Sequence, residues 1–117
     1  MSAVRVAIAA LILAAGAAQA SSRCPPTGLA SWYGTSHNGR PTASGEPFRS
    51  SALTAASRCL PLGTVVEVMH RDRSVVVLIN DRGPYVSSRI LDLSHEAAKR
   101  LHITGVGFVR IRVLHRP

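Results

Sequence analysis

"VVVLINDRGPYV", Val75 to Val86, sets five branched apolar residues in succession before a lone acid, Asp81, held between Asn80 and an Arg-Gly-Pro turn. Val, Leu and Ile at this density read as a buried strand, because β-branched side chains suit a pleated surface and a Gly-Pro pair stops the run abruptly. The strand therefore delivers Asp81 to a rim. An acid there either forms the turn, accepting backbone amides just ahead of it, or is a reactive carboxylate on a rigid scaffold. The stretch by itself leaves both readings open.

The flanking sequence repeats the pattern of short strands with turn punctuation. "GTVVEVMH" (63–70) alternates, Val66, Val68 and His70 against Val65, Glu67 and Met69, and "RDRS" turns it into the Val75 run as a hairpin. "LASWYG" (29–34), "ALTAAS" (52–57) and "RILDL" (89–93) read as further short strands. "GFVRIRVL" (107–114) alternates Phe108, Arg110 and Arg112 against Val109, Ile111 and Val113, a half-buried strand. Between the first two lies a long polar loop, "SHNGRPTASGEPF" (36–48). Ser94 caps one helix, "HEAAKRLH" (95–102), with Glu96 near its start and Lys99, Arg100 and His102 toward its end. Six short strands and one helix suggest a small closed barrel.

The first twenty residues are of another kind. "MSAVRVAIAALILAAGAAQA" carries Arg5, an apolar run from Val6 to Ala18, and an Ala-Gln-Ala cleavage pattern, and reads as a secretory signal peptide. The apolar run falls short of the ~20 residues that span a bilayer, so no membrane anchor is expected in the mature protein. The expected organisation is a signal peptide (1–20), an N-terminal segment (21–28), one barrel domain (29–114) and a short tail (115–117), with no appended wall-targeting repeat. Removing Arg5 leaves 13 Lys and Arg against 6 acids, a charge of about +7. In an exported protein this suggests an anionic polymer or surface, not nucleic acid. Export also makes a Cys24–Cys59 disulfide plausible, two free thiols being the alternative.

Few residue patterns carry chemistry. His95 and His102 are seven apart, not the four that would put two zinc ligands on one helical face, and His37, His70 and His115 are isolated. No G-x-S-x-G nucleophile elbow occurs, and Ser44 in "TASGE" lacks its strand-turn-helix context. The acids remain. Asp72, Glu67 and Glu96 read as turn, strand and helix surface, whereas Asp81, Asp92 and Glu46 stand where an apolar strand or a Gly turn meets a loop. Asp92, among Ile90, Leu91 and Leu93, is expected to hold its proton above the ordinary carboxylate range, as a general acid requires. Arg82 or Arg89 is expected to favour the charged form of Asp81.

In order, "ASWYG", "NGRPTASGEPF", "ALTAAS", "LPLGTVVEV" and "RSVVVLINDRGPYVSSRILDLSHEAAKRL" resemble the RlpA-like double-psi β-barrel domain of bacterial lytic transglycosylases, with expansins and barwin proteins as distant relatives. The resemblance runs from about Leu29 to Leu114. It implies a mainly β, six-stranded double-psi β-barrel with one short helix. It also implies a groove for peptidoglycan glycan strands and cleavage of the MurNAc-GlcNAc β-1,4 bond without water, closing a 1,6-anhydro ring. No metal or other cofactor is implied. A monomer in the periplasm or cell wall is expected.

Carried over by position, the resemblance assigns Asp81 and Asp92 to acid–base work, with Glu46 lining the groove. Asn80 and Arg82 are expected to position substrate. Trp32 and Tyr33 are candidates for stacking on sugar faces, although an alternating strand should turn one of them inward. The family commonly has His at the position of Ser57, and a serine cannot carry a proton near neutral pH as an imidazole can. Ser57 is therefore a groove candidate that lacks the family's imidazole, and a binding module of the expansin kind is the alternative reading.

Overall fold

The computed structural model describes residues 24–117. The signal-peptide assignment, residues 1–20, lies outside them.

Six strands form, β1 (Thr27–Trp32), β2 (Thr54–Ala56), β3 (Val65–His70), β4 (Arg73–Asp81), β5 (Arg89–Leu93) and β6 (Gly107–His115). A 3₁₀ turn spans Thr35–His37 and the helix, α1, spans His95–Arg100. The strands close in the order β1-β5-β2-β4-β3-β6. Two pairings, β1 with β5 and β2 with β4, are parallel; the other four are antiparallel. Parallel neighbours need a crossover rather than a hairpin, and the long 36–48 loop and the 82–88 segment lie on such connections. This is the double-psi β-barrel that the resemblance implied.

The Val75 run shows what closure does to an apolar strand. Val75, Val77 and Ile79 point into the barrel and are buried, while Val76 and Leu78 are 45% and 42% exposed. The run is therefore half-buried, not buried on both sides as its composition suggested, because a single closed sheet has one inside. Val66 and Val68 of β3, Leu91 and Leu93 of β5, and Val109 of β6 complete the interior with Ala30. Leu101 and the helix residues Ala97 and Ala98 seal it.

Local chemistry sets the ends of the elements. The hairpin between β3 and β4 turns at Arg71-Asp72, with Arg71 at φ 55. Gly83, at φ 127, takes a backbone conformation that disfavours any residue with a Cβ and turns the chain sharply after Arg82. Ser94 caps α1 by accepting from Ala97 N at 3.2 Å and donates to Ala52 O at 2.6 Å. The helix stops at Arg100, two residues before the expected end. His102 enters the left-handed region at φ 58, and the amide of Ile103 closes back on Ala98 O.

Cys24 and Cys59 are joined in a disulfide, with Cα atoms 5.7 Å apart. It ties the segment entering β1 to the loop between β2 and β3.

Candidate active site

Asp81 closes β4 and Asp92 lies within β5, and both are in register with the same residue, Ala56, on the intervening strand β2. Two strand spacings put the acids' backbones about 10 Å apart on one rim of the barrel. The β2–β4 register shifts between Ala55 and Ala56, an irregularity of the kind that re-aims a side chain beside a site.

Three donors hold the Asp81 carboxylate. Its Oδ1 accepts from Arg82 N at 2.8 Å and Ala43 N at 3.0 Å, and its Oδ2 accepts from the Tyr33 hydroxyl at 3.0 Å. The Asp81 carbonyl also accepts from Ser57 N. Asp81 thus accepts turn amides, the first of the two readings that the sequence left open, and its carboxylate is fixed in orientation at the rim. The amide of Ser44 donates to Asn80 O at 3.1 Å, so the 40–48 loop is docked beside the end of β4. Within that loop Thr42 donates to Glu46 O at 2.6 Å, and Pro41 and Pro47 pair across it. The Glu46 side chain stands exposed on this docked loop.

Asp92 is flanked by Leu91 and Leu93, both fully buried, and accepts from the Ser31 hydroxyl at 3.0 Å. Burial pushes its carboxyl above the ordinary aspartate value, with a smaller push from Asp81. The Ser31 hydrogen bond and the charges of His37 and Arg89 pull the other way. The sequence-based expectation for Asp92 therefore has its physical cause in place. Tyr33 is pushed well above the ordinary phenol value by burial and by Asp81, which keeps its proton on the hydrogen bond to Asp81.

Several residues stand differently from their sequence-based roles. Tyr33 is no open platform: His37 stacks on its ring at 5.3 Å and 14°, and Phe48 meets it edge-on at 4.8 Å. It orients Asp81 instead. Trp32 turns to the opposite side of β1, stacks on His95 at 5.0 Å and donates to Thr104 O at 3.2 Å, so it is not part of the acid cluster. Alternation along the strand is the reason: Ser31 and Tyr33 share one face and Trp32 takes the other.

Arg82 directs its guanidinium to the carbonyls of Ser57 and Leu60, at 2.9 and 2.7 Å. Among the described residues neither Arg82 nor Arg89 forms an ion pair with Asp81. Arg82 braces the loop through its side chain and reaches Asp81 through its amide. Ser57 is 1% exposed, and its hydroxyl accepts from Leu60 N at 3.0 Å and Cys59 N at 3.3 Å. Its side chain is enclosed in the turn that carries Cys59, so the hydroxyl serves that turn. Asn80 lies between Asp81 and the core residue Ile79, and its Oδ1 is buried with no hydrogen-bond partner.

Three residues join the site without having been singled out as candidates. Ser31 reaches Asp92, His37 covers Tyr33, and Tyr85, 81% exposed, lies just beyond the Gly83-Pro84 turn that follows Asp81. The period-two pattern of "ASWYG" carried the signal for Ser31. His37 and Tyr85 lie on loops, where no periodicity marks them.

A lytic transglycolase family model matches residues 26–113. The probable endolytic peptidoglycan transglycosylase RlpA of Treponema pallidum is 51% identical over 90 residues, 75% of this chain and 28% of that protein. Its namesake in Haemophilus influenzae is 47% identical over 92 residues, covering 75% and 32%. The chain therefore aligns with about a third or less of the length of these curated relatives. Among solved structures, a Streptomyces papain inhibitor superposes with TM-score 0.64 at 24% identity, over 76% of this chain and 93% of the inhibitor. An expansin of Clavibacter michiganensis gives 0.63 at 20%, over 79% and 51%. At those identities the likeness is one of fold alone.

Proposed function

The chain belongs to the lytic transglycolase family of double-psi β-barrels, and on that premise we propose that it is a peptidoglycan lytic transglycosylase, cleaving the MurNAc-GlcNAc β-1,4 bond with formation of 1,6-anhydro-MurNAc. The observation that carries the reading is the acid pair across Ala56. Burial raises the affinity of one carboxyl, Asp92, for its proton, and the other, Asp81, is held by three donors.

The two positions divide the reaction naturally. Asp92 gives its proton to the glycosidic oxygen as the bond from that oxygen to C1 breaks. The C6 hydroxyl of the same sugar attacks C1, and its proton passes to Asp81 as the anhydro ring closes. No water has to be placed, so the carboxylate spacing that an inverting glycosidase needs does not apply. The proton then returns from Asp81 to Asp92 through solvent before the next turnover. Glu46, exposed on the loop docked beside Asp81, is available to a glycan strand, and Tyr85 offers an exposed aromatic face to a sugar ring. Arg82 supports the site from behind.

The substrate places the protein outside the cytoplasm, in keeping with the leader read in residues 1–20. An excess of basic over acidic residues favours a wall polymer that carries lactyl and peptide carboxylates.

The test is mass spectrometry of purified peptidoglycan, intact and amidase-stripped, after incubation with the protein and with its Asp81→Asn and Asp92→Asn variants. Anhydro-muropeptides or anhydro-glycans released by the wild type and absent with either variant are expected. Glycan that pellets with the protein and stays uncut would instead mean an expansin-like binding module.

A further inference from the structure

The imidazole of His37 lies on the ring of Tyr33, the residue that holds Asp81, yet nothing in the reaction so far uses it. Its backbone is pinned on both sides, His37 N donating to Gly34 O at 3.1 Å and His37 O accepting from Arg40 N at 3.1 Å. Its ring lies 14° from parallel to Tyr33, the residue whose hydroxyl reaches Asp81. Its Nδ1 is buried with no hydrogen-bond partner. Such a nitrogen is unfavourable to bury and calls for a reason. The other histidines lie elsewhere: His70 bonds Phe108 O, His95 covers Trp32, and His102 and His115 follow α1 and end β6.

We propose that His37 is a positioning residue of this site, clamping Tyr33 onto Asp81 with its ring face and presenting an ionisable imidazole to Asp92. The clamp follows from the two aromatic contacts on Tyr33, since Phe48, only 3% exposed, holds the ring from its edge and His37 from its face. A phenol held in this way has little freedom to leave Asp81. The second role is electrostatic. The groups that act on Asp92 are Ser31 from β1, Asp81 from β4, Arg89 from β5 and His37 from the 3₁₀ turn. His37 and Arg89 oppose the effect of burial and Asp81 reinforces it, and an imidazole, unlike a guanidinium, is a group whose charge can change. A charged His37 therefore favours release of the Asp92 proton, and a neutral one favours its retention. His37 itself need not transfer any proton.

The clamp and the charge separate in two variants. His37→Phe keeps a flat ring on Tyr33 and removes the charge; His37→Ala removes both. Two readouts are followed: the titration of the Asp92 carboxyl by carbon NMR, and the pH–rate profile of anhydro-muropeptide release, which alone rests on the transglycosylase reading. In His37→Phe the Asp92 midpoint and the basic limb of the rate profile are expected to move upward together, because a donor that holds its proton longer works to higher pH. His37→Ala is expected to lose about tenfold or more in kcat with little change in KM, and His37→Phe to recover most of that loss. An Asp92 midpoint unmoved in His37→Phe, or a His37→Ala rate equal to wild type, overturns the proposal. A wild type that releases no anhydro product would sink the transglycosylase reading alone, and the carboxyl titration would still decide the role of His37.

Discussion

Tyr33 donates its hydroxyl to Asp81 Oδ2 at 3.0 Å, and this contact couples the residue that follows the first strand of the barrel to the end of the fourth. Ser31, two residues earlier on the same face, makes the corresponding contact with Asp92. One short strand thus sets both carboxyls through period-two spacing.

Tyr33→Phe keeps the ring between His37 and Phe48 and deletes one of the three donors on Asp81. A hydrogen bond to a charged group is worth about 1.5–3 kcal/mol, so the rate of anhydro-product release should fall roughly 10- to 100-fold. The same lost bond should lower the melting temperature by several degrees, so rates are compared well below it. Equal rates in variant and wild type would remove Tyr33 from the machinery.

Asp92 is pushed upward in the folded protein by burial. A carboxyl so shifted binds its proton more tightly folded than unfolded, so its stabilising contribution is full at acid pH and disappears as pH rises through the folded value. Asp92→Asn should therefore raise the melting temperature at pH 7, and the gain should shrink toward pH 3. Melting curves across that range test it; a gain independent of pH would separate Asp92 from any burial effect.

Ser57→Ala removes the acceptor for the amides of Cys59 and Leu60. The expected loss is about 1–2 kcal/mol of stability, read from urea unfolding, with glycan binding in a pelleting assay unaltered. A marked fall in glycan affinity would return Ser57 to the groove.

The Cys24–Cys59 bridge spans a sequence separation of 35. Chain-entropy reasoning values a closed loop of that size at roughly 3–4 kcal/mol. The Cys24→Ala/Cys59→Ala variant should unfold at correspondingly lower urea concentration, with the barrel's far-ultraviolet circular dichroism retained at low denaturant. An unchanged midpoint would mean that the bridge pins the loop without stabilising the fold.

Gly28 sits in β1 where an added Cβ would lie 2.6 Å from Ile90 Cγ2. That methyl belongs to a β-branched residue with little rotamer freedom. Gly28→Ala should cost about 1–3 kcal/mol, measured by chemical unfolding. Gly28→Ala paired with Ile90→Val, which keeps the crowded Cγ2, should recover less than Gly28→Ala paired with Ile90→Ala.

All six strands, the helix cap at Ser94 and the stop at Gly83 were legible in the chain, because alternation, capping and left-handed turns are set by sterics within a few residues. So was the placing of Asp81 where its apolar run gives way, whereas Asp92 lies within β5 and not at a junction with a loop. Which residues would meet was not legible. Nothing in "VVVLIND" and "RILDLS" says that both acids align on Ala56, since that register depends on the crossovers and on closure of the barrel. Closure likewise turned Val76 and Leu78 outward, enclosed Ser57 under its own turn and sent the Arg82 guanidinium to carbonyls. Local sterics decide which segments become strands, and only the non-local pairing of those strands decides which side chains share a site.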